Sequence, residues 1–249
     1  MNIVASIDGV WQAVTKNFSN LEEKQILPLL KQYGVMPQFA REMIIAEAIA
    51  TINLTPEERF QLYKNFYQEQ KINTDADVQT WLKVRGLETS QLDYLVTRLG
   101  KLEKFQQETW GNKLHSYFLQ RKGKLDRVVY SLLRVDDMAI AQELYFRIQA
   151  GEQSFGELAK EYSQGLEAHT YGLLGPVELS VPHPTLANLL MRSQPGQLLA
   201  PTSLEKWIVI VRLEKIIPAQ FDTAMQKRLL NELMENWLQT QLKEFITQV

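Results

Sequence analysis

The chain has 249 residues, 45% of them hydrophobic, no cysteine and a formal net charge of -2. That length and apolar content support one large or two modest domains with a sizeable core; the missing cysteines exclude disulfides and thiolate metal sites and leave the redox compartment open. A nearly balanced charge offers no basic field to a phosphate backbone, which excludes nucleic acid as a main partner.

The first residues, MNIVASIDGVWQAV, lack the basic start and long apolar run of a secretory signal. Nowhere do about 18 uncharged apolar residues run together. The expectation is a protein with no membrane insertion, located in the cytoplasm, with the periplasm as the alternative if a signal has been removed.

From about Leu21 to Gln120 the pattern is helical. Pro37 to Ile52 is apolar over most of its circumference and reads as the central helix of a bundle. Thr55-Pro56-Glu57-Glu58 puts a threonine at the N-cap, a proline at the first helical position and a glutamate three residues after the cap, a combination that satisfies and charge-complements a helix start. Phe60, Tyr63, Phe66 and Tyr67 follow at helical spacing, and the aromatic stripe reads as core rather than as a ligand site. Thr74 with Asp77 opens the next helix, which Gly86 ends, and Thr89 begins a third carrying Leu92, Leu95, Val96 and Leu99.

Between Leu125 and Ile216 the signals become mixed α and β. VVYSLLRV alternates as a buried strand does, with Val128, Tyr130 and Leu132 on one face and Val129, Leu133 and Val135 on the other. Ser131 interrupts an apolar face. No G-x-S-x-G turn or base accompanies it, so it reads as a buried hydroxyl bonded to backbone rather than as a nucleophile. A helix from Met138 to Ala150 follows, then GEQSFGELAKEYSQG, where Phe155, Leu158, Ala159 and Tyr162 make one helical face. Glycine and proline punctuate the rest until WIVIVRLEKI, a β-branched central strand. The three histidines, His115 in a helix, His169 in a loop and His183 between two prolines, have no metal-ligand spacing, so neither metal nor cofactor is expected.

After Pro218, Asp222 caps a helix running almost to the end. Met225, Leu229, Leu233 and Trp237 form one apolar row, and Leu230, Met234, Leu238 and Leu242 the row beside it. So wide a face must dock, and the N-terminal bundle is its natural complement.

The middle segment resembles the parvulins, small peptidyl-prolyl isomerases of PpiC type. The resemblance is carried by the opening strand, by FGELAKEYS (Phe155 to Ser163), YGLLG (Tyr171 to Gly175), LSVP (Leu179 to Pro182), QPGQLLAP (Gln194 to Pro201) and the closing WIVIV strand. The helical segments around it resemble SurA-type chaperones. The implied fold is α+β: an N-terminal helical bundle (1-121) completed by the C-terminal helix (219-249), with one inserted parvulin-like domain (125-216).

In parvulins the first strand carries a histidine where this chain has Ser131. The loop after the YS motif carries a cysteine or aspartate where it has Gly165, and the last strand a second histidine where it has Trp207. The resemblance places the proline-binding pocket at Leu174, Val181, Pro184, Leu189, Leu204 and Trp207, with Pro184 near the expected aromatic and Glu205 and Lys206 in place of a glycine and an aromatic.

Turning an X-Pro bond means overcoming an amide barrier of about 18 to 20 kcal/mol by gripping proline and favouring the twisted amide. Losing all three polar groups leaves weak isomerase activity or none. Two functions are therefore expected of such a chain: a SurA-like chaperone holding unfolded or proline-containing polypeptide, with the secretion machinery as a further partner, or an active isomerase with a rebuilt site.

Overall fold

The computed structural model describes residues 20–248 together with Val14 and Lys16. Apart from Val14, the opening stretch on which the cytoplasmic reading rests lies outside the described residues. Residues up to Asn112 group with those from Leu230 onward in one compact unit, and Lys113–Leu229 form a second.

The first unit contains α1 (Glu23–Gln32), α2 (Met36–Ala50), α3 (Pro56–Gln70), α4 (Asp75–Val84), α5 (Thr89–Trp110) and most of the C-terminal helix. The caps sit where the sequence puts them. Thr55 Oγ1 accepts from the Glu58 amide at 3.2 Å while the Glu58 carboxylate accepts from the Thr55 amide at 2.7 Å, and Thr74 and Asp77 repeat the exchange at 3.2 and 2.9 Å. One core joins Ile45, Ile49 and Ile52 of α2 to Met234 and Leu238. Phe105, Trp110 and Trp237 close it as an aromatic triangle with centroids 5.7 to 6.3 Å apart. Arg41 grips Glu235 with two bonds of 3.0 and 2.7 Å, and Gln106 bonds Asn231 at 3.1 Å. The C-terminal helix completes the bundle although the whole middle segment separates them in sequence.

A second core gathers Ile72, Val78, Leu82, Leu92 and Val96. Here the aromatic stripe departs from expectation: α3 has no buried residue, and Phe60 is 69% exposed. Tyr63, Phe66 and Tyr67 rest one side on this core and are only partly buried, because among the described residues no further helix packs over them.

The second unit runs α6 (Leu114–Leu125), β1 (Arg127–Val135), α7 (Met138–Ala150), α8 (Phe155–Tyr162), β2 (Leu173–Glu178), α9 (Pro184–Arg192), β3 (Leu198–Leu204), β4 (Trp207–Ile217) and the start of α10 (Thr223–Gln248). The antiparallel sheet has the order β2-β1-β4-β3. Because β1 and β4 are central, side-chain alternation makes two cores. Val128, Tyr130 and Leu132 meet Val209, Val211, Leu213 and α9 on one face. Leu133, Val135 and Ile210 meet α7 and α8 on the other. Each edge strand contains a proline, Pro176 in β2 and Pro201 in β3, which removes a ladder donor and blunts the edge against further pairing. The expected limits at 121–125 and 216–219 fall inside this unit because α6 and the chain after β4 hold together. Phe221 stacks on His115 and Phe118 at 5.2 Å, and the Asp126 carboxylate accepts from the Ala219 amide at 2.7 Å.

Leu238 is fully buried where α10 meets α2. Leu238→Ala is therefore expected to lower stability by about 2–5 kcal/mol, read as a shifted denaturant midpoint of tryptophan fluorescence; an unchanged midpoint would contradict the interleaved bundle.

Candidate functional site

The sheet decides which of the expected site residues meet. Ser131 is buried on the α7 and α8 face, where its hydroxyl donates to Glu214 Oε1 at 2.5 Å. Arg212 Nε donates to the same oxygen at 2.8 Å, and its guanidinium lies 5.3 Å from the Phe155 ring centroid. The partner of Ser131 is thus a carboxylate rather than backbone. Trp207 begins β4 on the opposite face, half-buried against the core of Tyr130 and Leu213, with Lys206 Nζ 5.0 Å from its ring. Ser131 pairs across the strands with Arg212, five positions along β4 from Trp207, or about 17 Å at strand rise. Opposite faces and this distance keep the two apart.

Gly165 precedes a short 3-10 turn, Leu166–Thr170. Its φ of -124° is open to any residue, so conformation does not demand glycine there. Space does. A Cβ at Gly165 would collide with Nε and Cζ of Arg134 and with Oε2 of Glu167. Arg134 stands on β1 on the same face as Tyr130, and it binds Glu167 through Nε to Oε1 at 2.7 Å and Nη2 to Oε2 at 2.5 Å. The Ser163 hydroxyl donates to Glu167 Oε1 at 2.6 Å while accepting from the Arg134 amide at 3.0 Å. The Gln164 amide closes the loop onto the Arg134 carbonyl at 2.9 Å. The ion pair therefore fills the place that a cysteine or aspartate side chain at position 165 would take.

The Glu167 side chain is only 1% exposed, against 32% for Arg134. Burial alone pushes the Glu167 carboxyl up, but the hydrogen bonds from Arg134 and Ser163 outweigh it and hold the group below the usual carboxylate range. The same bond raises Arg134, and burial raises the Tyr130 phenol, reinforced by the Glu167 charge. Both carboxylate oxygens are occupied within the protein, so Glu167 is spent on holding the loop.

Of the expected pocket residues, Leu174, Leu204 and Trp207 pack on the α9-side core, Leu174 opposite Tyr130 and Leu204 opposite Trp207 in neighbouring strands. Leu189 is half-buried on α9. Pro184 starts α9 and lines a cleft of about 350 Å³ with Leu179, Pro182 and Ala187, while Val181 stands 69% exposed in the preceding loop. His183 caps α9 by accepting the Thr185 amide on Nδ1 at 3.3 Å, and His169 is exposed in the 3-10 turn. Among the described residues no group of His, Asp or Glu is arranged to hold a metal, and no helix is long and apolar enough to cross a membrane.

The first unit carries two larger clefts. One of about 790 Å³ lies along α3, and one of about 410 Å³ lies between α2 and α10 at Met43, Ile44, Trp237 and Phe245. Sequence reasoning passed over the α3 cleft because the period of its aromatic stripe is also that of a buried face. It passed over Arg134 and Glu167 because 33 residues of chain separate them.

Residues 134–215 match the family model of the rotamase, PPIC-type PPIASE domain. The middle of this chain is a parvulin-type domain. The match includes Gly165 and Trp207 and begins three residues after Ser131. Among solved structures, the peptidylprolyl isomerase PrsA of Bacillus cereus is 17% identical, with a TM-score of 0.52 over 92% of this chain and 88% of that one; it shares the fold. PrsA of Bacillus anthracis is 19% identical, with a TM-score of 0.46 over 83% of this chain and 96% of that one. A structure from the SurA-like chaperone pair of Campylobacter jejuni that includes the virulence factor PEB4 is 18% identical, with a TM-score of 0.37 over 79% of this chain and 91% of that one. No curated protein matches the chain.

Because the folded-state carboxyl of Glu167 is depressed, its contribution to stability is present above the ordinary carboxylate value and is lost as pH falls through the lower folded one. Glu167→Gln is expected to cost about 1–3 kcal/mol at pH 7 and to flatten the loss of stability below about pH 4.3. Urea titrations across pH check both; equal acid profiles for the two proteins would contradict the pairing.

Proposed function

We propose that this protein is a SurA-like peptide-binding chaperone whose parvulin-type domain has weak isomerase activity or none. The observation that carries this reading is the Arg134–Glu167 pair, which takes up the space beside Gly165 where the resemblance expects a thiol or carboxylate. Isomerisation breaks no covalent bond and depends on preorganised groups aimed at the twisting amide. A serine turned to the other face and an ion pair closed on itself supply none. Binding needs less: half-exposed apolar and aromatic walls suffice, and the first unit has them. Clients are unfolded or proline-containing chains, held mainly by the helical part, while the α9-side surface at Leu174, Leu204 and Trp207 retains contact with proline. The domain limits 1–121, 125–216 and 219–249 belong to the same proposal. With no cysteine the chain folds alike in the cytoplasm and in the periplasm.

The test is cis/trans exchange in a short proline peptide, followed by NMR, beside aggregation of a chemically unfolded protein. Exchange close to the uncatalysed rate with suppressed aggregation is expected. The double change Ser131→His and Trp207→His is expected to leave exchange unaccelerated, since the two positions sit on opposite faces. Robust catalysis by the unmodified protein would favour the alternative, an active isomerase with a rebuilt site.

A further inference from the structure

The α3 cleft has a charge pattern that the apolar reading of chaperone surfaces does not require. Its lining comes from one helix face and the turn after it: Phe60, Tyr63, Lys64, Tyr67, Lys71 and Ile72. These α3 positions recur at three- and four-residue intervals, so they lie in one strip. Phe60 is 69% exposed, and Tyr63 and Tyr67 meet edge to face with centroids 5.8 Å apart. The strip is an aromatic floor open to solvent.

Lys64 and Lys71 stand seven residues apart, about 10 Å along a helix axis, with Tyr67 between them and Phe60 and Tyr63 on the far side of Lys64. Among the described residues no hydrogen bond or ion pair engages either ammonium. Among the described residues no carboxylate lines the cleft. Three carboxylates around it are already committed: Glu58 to Lys104 at 2.9 Å, Asp93 to Arg59 and to the Tyr63 hydroxyl, which donates to it at 3.0 Å, and Asp77 to the Asn73 and Thr74 amides. Glu57, three residues before Phe60, stands at the end of the strip away from Lys71. Lys71, the C-cap of α3, has φ at 56°, the left-handed conformation that ends the helix. On a chain of net charge -2 this places two cations on either side of Tyr67 within apolar surface.

We propose that the α3 cleft selects polypeptide segments in which carboxylates flank an aromatic or aliphatic side chain. The inference rests on the peptide-binding reading above and names the sequence it prefers. The apolar side chain covers Phe60, Tyr63 and Tyr67, which supplies affinity, and the flanking carboxylates meet Lys64 and Lys71, which supplies selection. Exposed pairs of this kind are individually weak and screened by salt, so the preference is modest and falls with ionic strength.

The full chain is titrated into two fluorescein-labelled peptides, Gly-Asp-Asp-Leu-Phe-Leu-Asp-Asp-Gly and its counterpart with lysine for every aspartate, by fluorescence anisotropy. Aggregation suppression is measured in parallel. The aspartate peptide is expected to bind about five- to tenfold more tightly at low salt, with the difference gone near 1 M salt. The double change Lys64→Glu and Lys71→Glu should reverse the order, and Phe60→Ala should weaken both peptides. Equal affinities at low salt, or a preference unchanged in the double variant, would overturn the charge selection while leaving the chaperone reading intact if aggregation is still suppressed. Failure to bind either peptide together with failure to suppress aggregation would overturn both.

Discussion

Glu167 carries its charge inside the parvulin-type domain because Arg134 meets it with two parallel bonds and Ser163 with a third. A lone carboxylate so buried would take up a proton, and a lone guanidinium would draw water into the loop. Held together, they fix the turn after α8 against β1. They also set the limit on chemistry. A side chain at position 165 would have to displace the ends of Arg134 and Glu167. The polar groups of this region face one another, and both oxygens of Glu167 are taken.

Apolar surface is left open where packing is incomplete. The helical unit closes one core by recruiting the last helix of the chain, with Met234 and Leu238 seated on α2. Among the described residues the α3 side has no such partner, and its aromatic rings are left half covered. Both edges of the sheet carry proline, which disfavours the addition of a further strand.

Much of this was legible in one dimension. Caps at Thr55 and Thr74, the strand alternation of 128–135, the helix of 138–150 and the apolar rows of α10 all depend on neighbours within a few residues. The position of Ser131 relative to Trp207 was not legible, because it depends on strand register and on which face each residue joins. The partner of Ser131, Glu214, lies 83 residues away. The stripe on α3 shows the other limit: a period of 3.6 marks a face that is not wholly solvated, yet says nothing of whether the chain provides enough cover for it.

The claim that Arg134 and Glu167 form a closed pair rather than a substrate-binding element is tested most directly at the Arg134 Nε–H, by its ¹⁵N-resolved NMR signal with and without a saturating proline-containing peptide. A slowly exchanging resonance, removed by Glu167→Gln and unmoved by the peptide, is the expected result. A resonance that exchanges freely with water, or that shifts when the peptide binds, would mean that the pair opens to substrate and that the site is working rather than sealed.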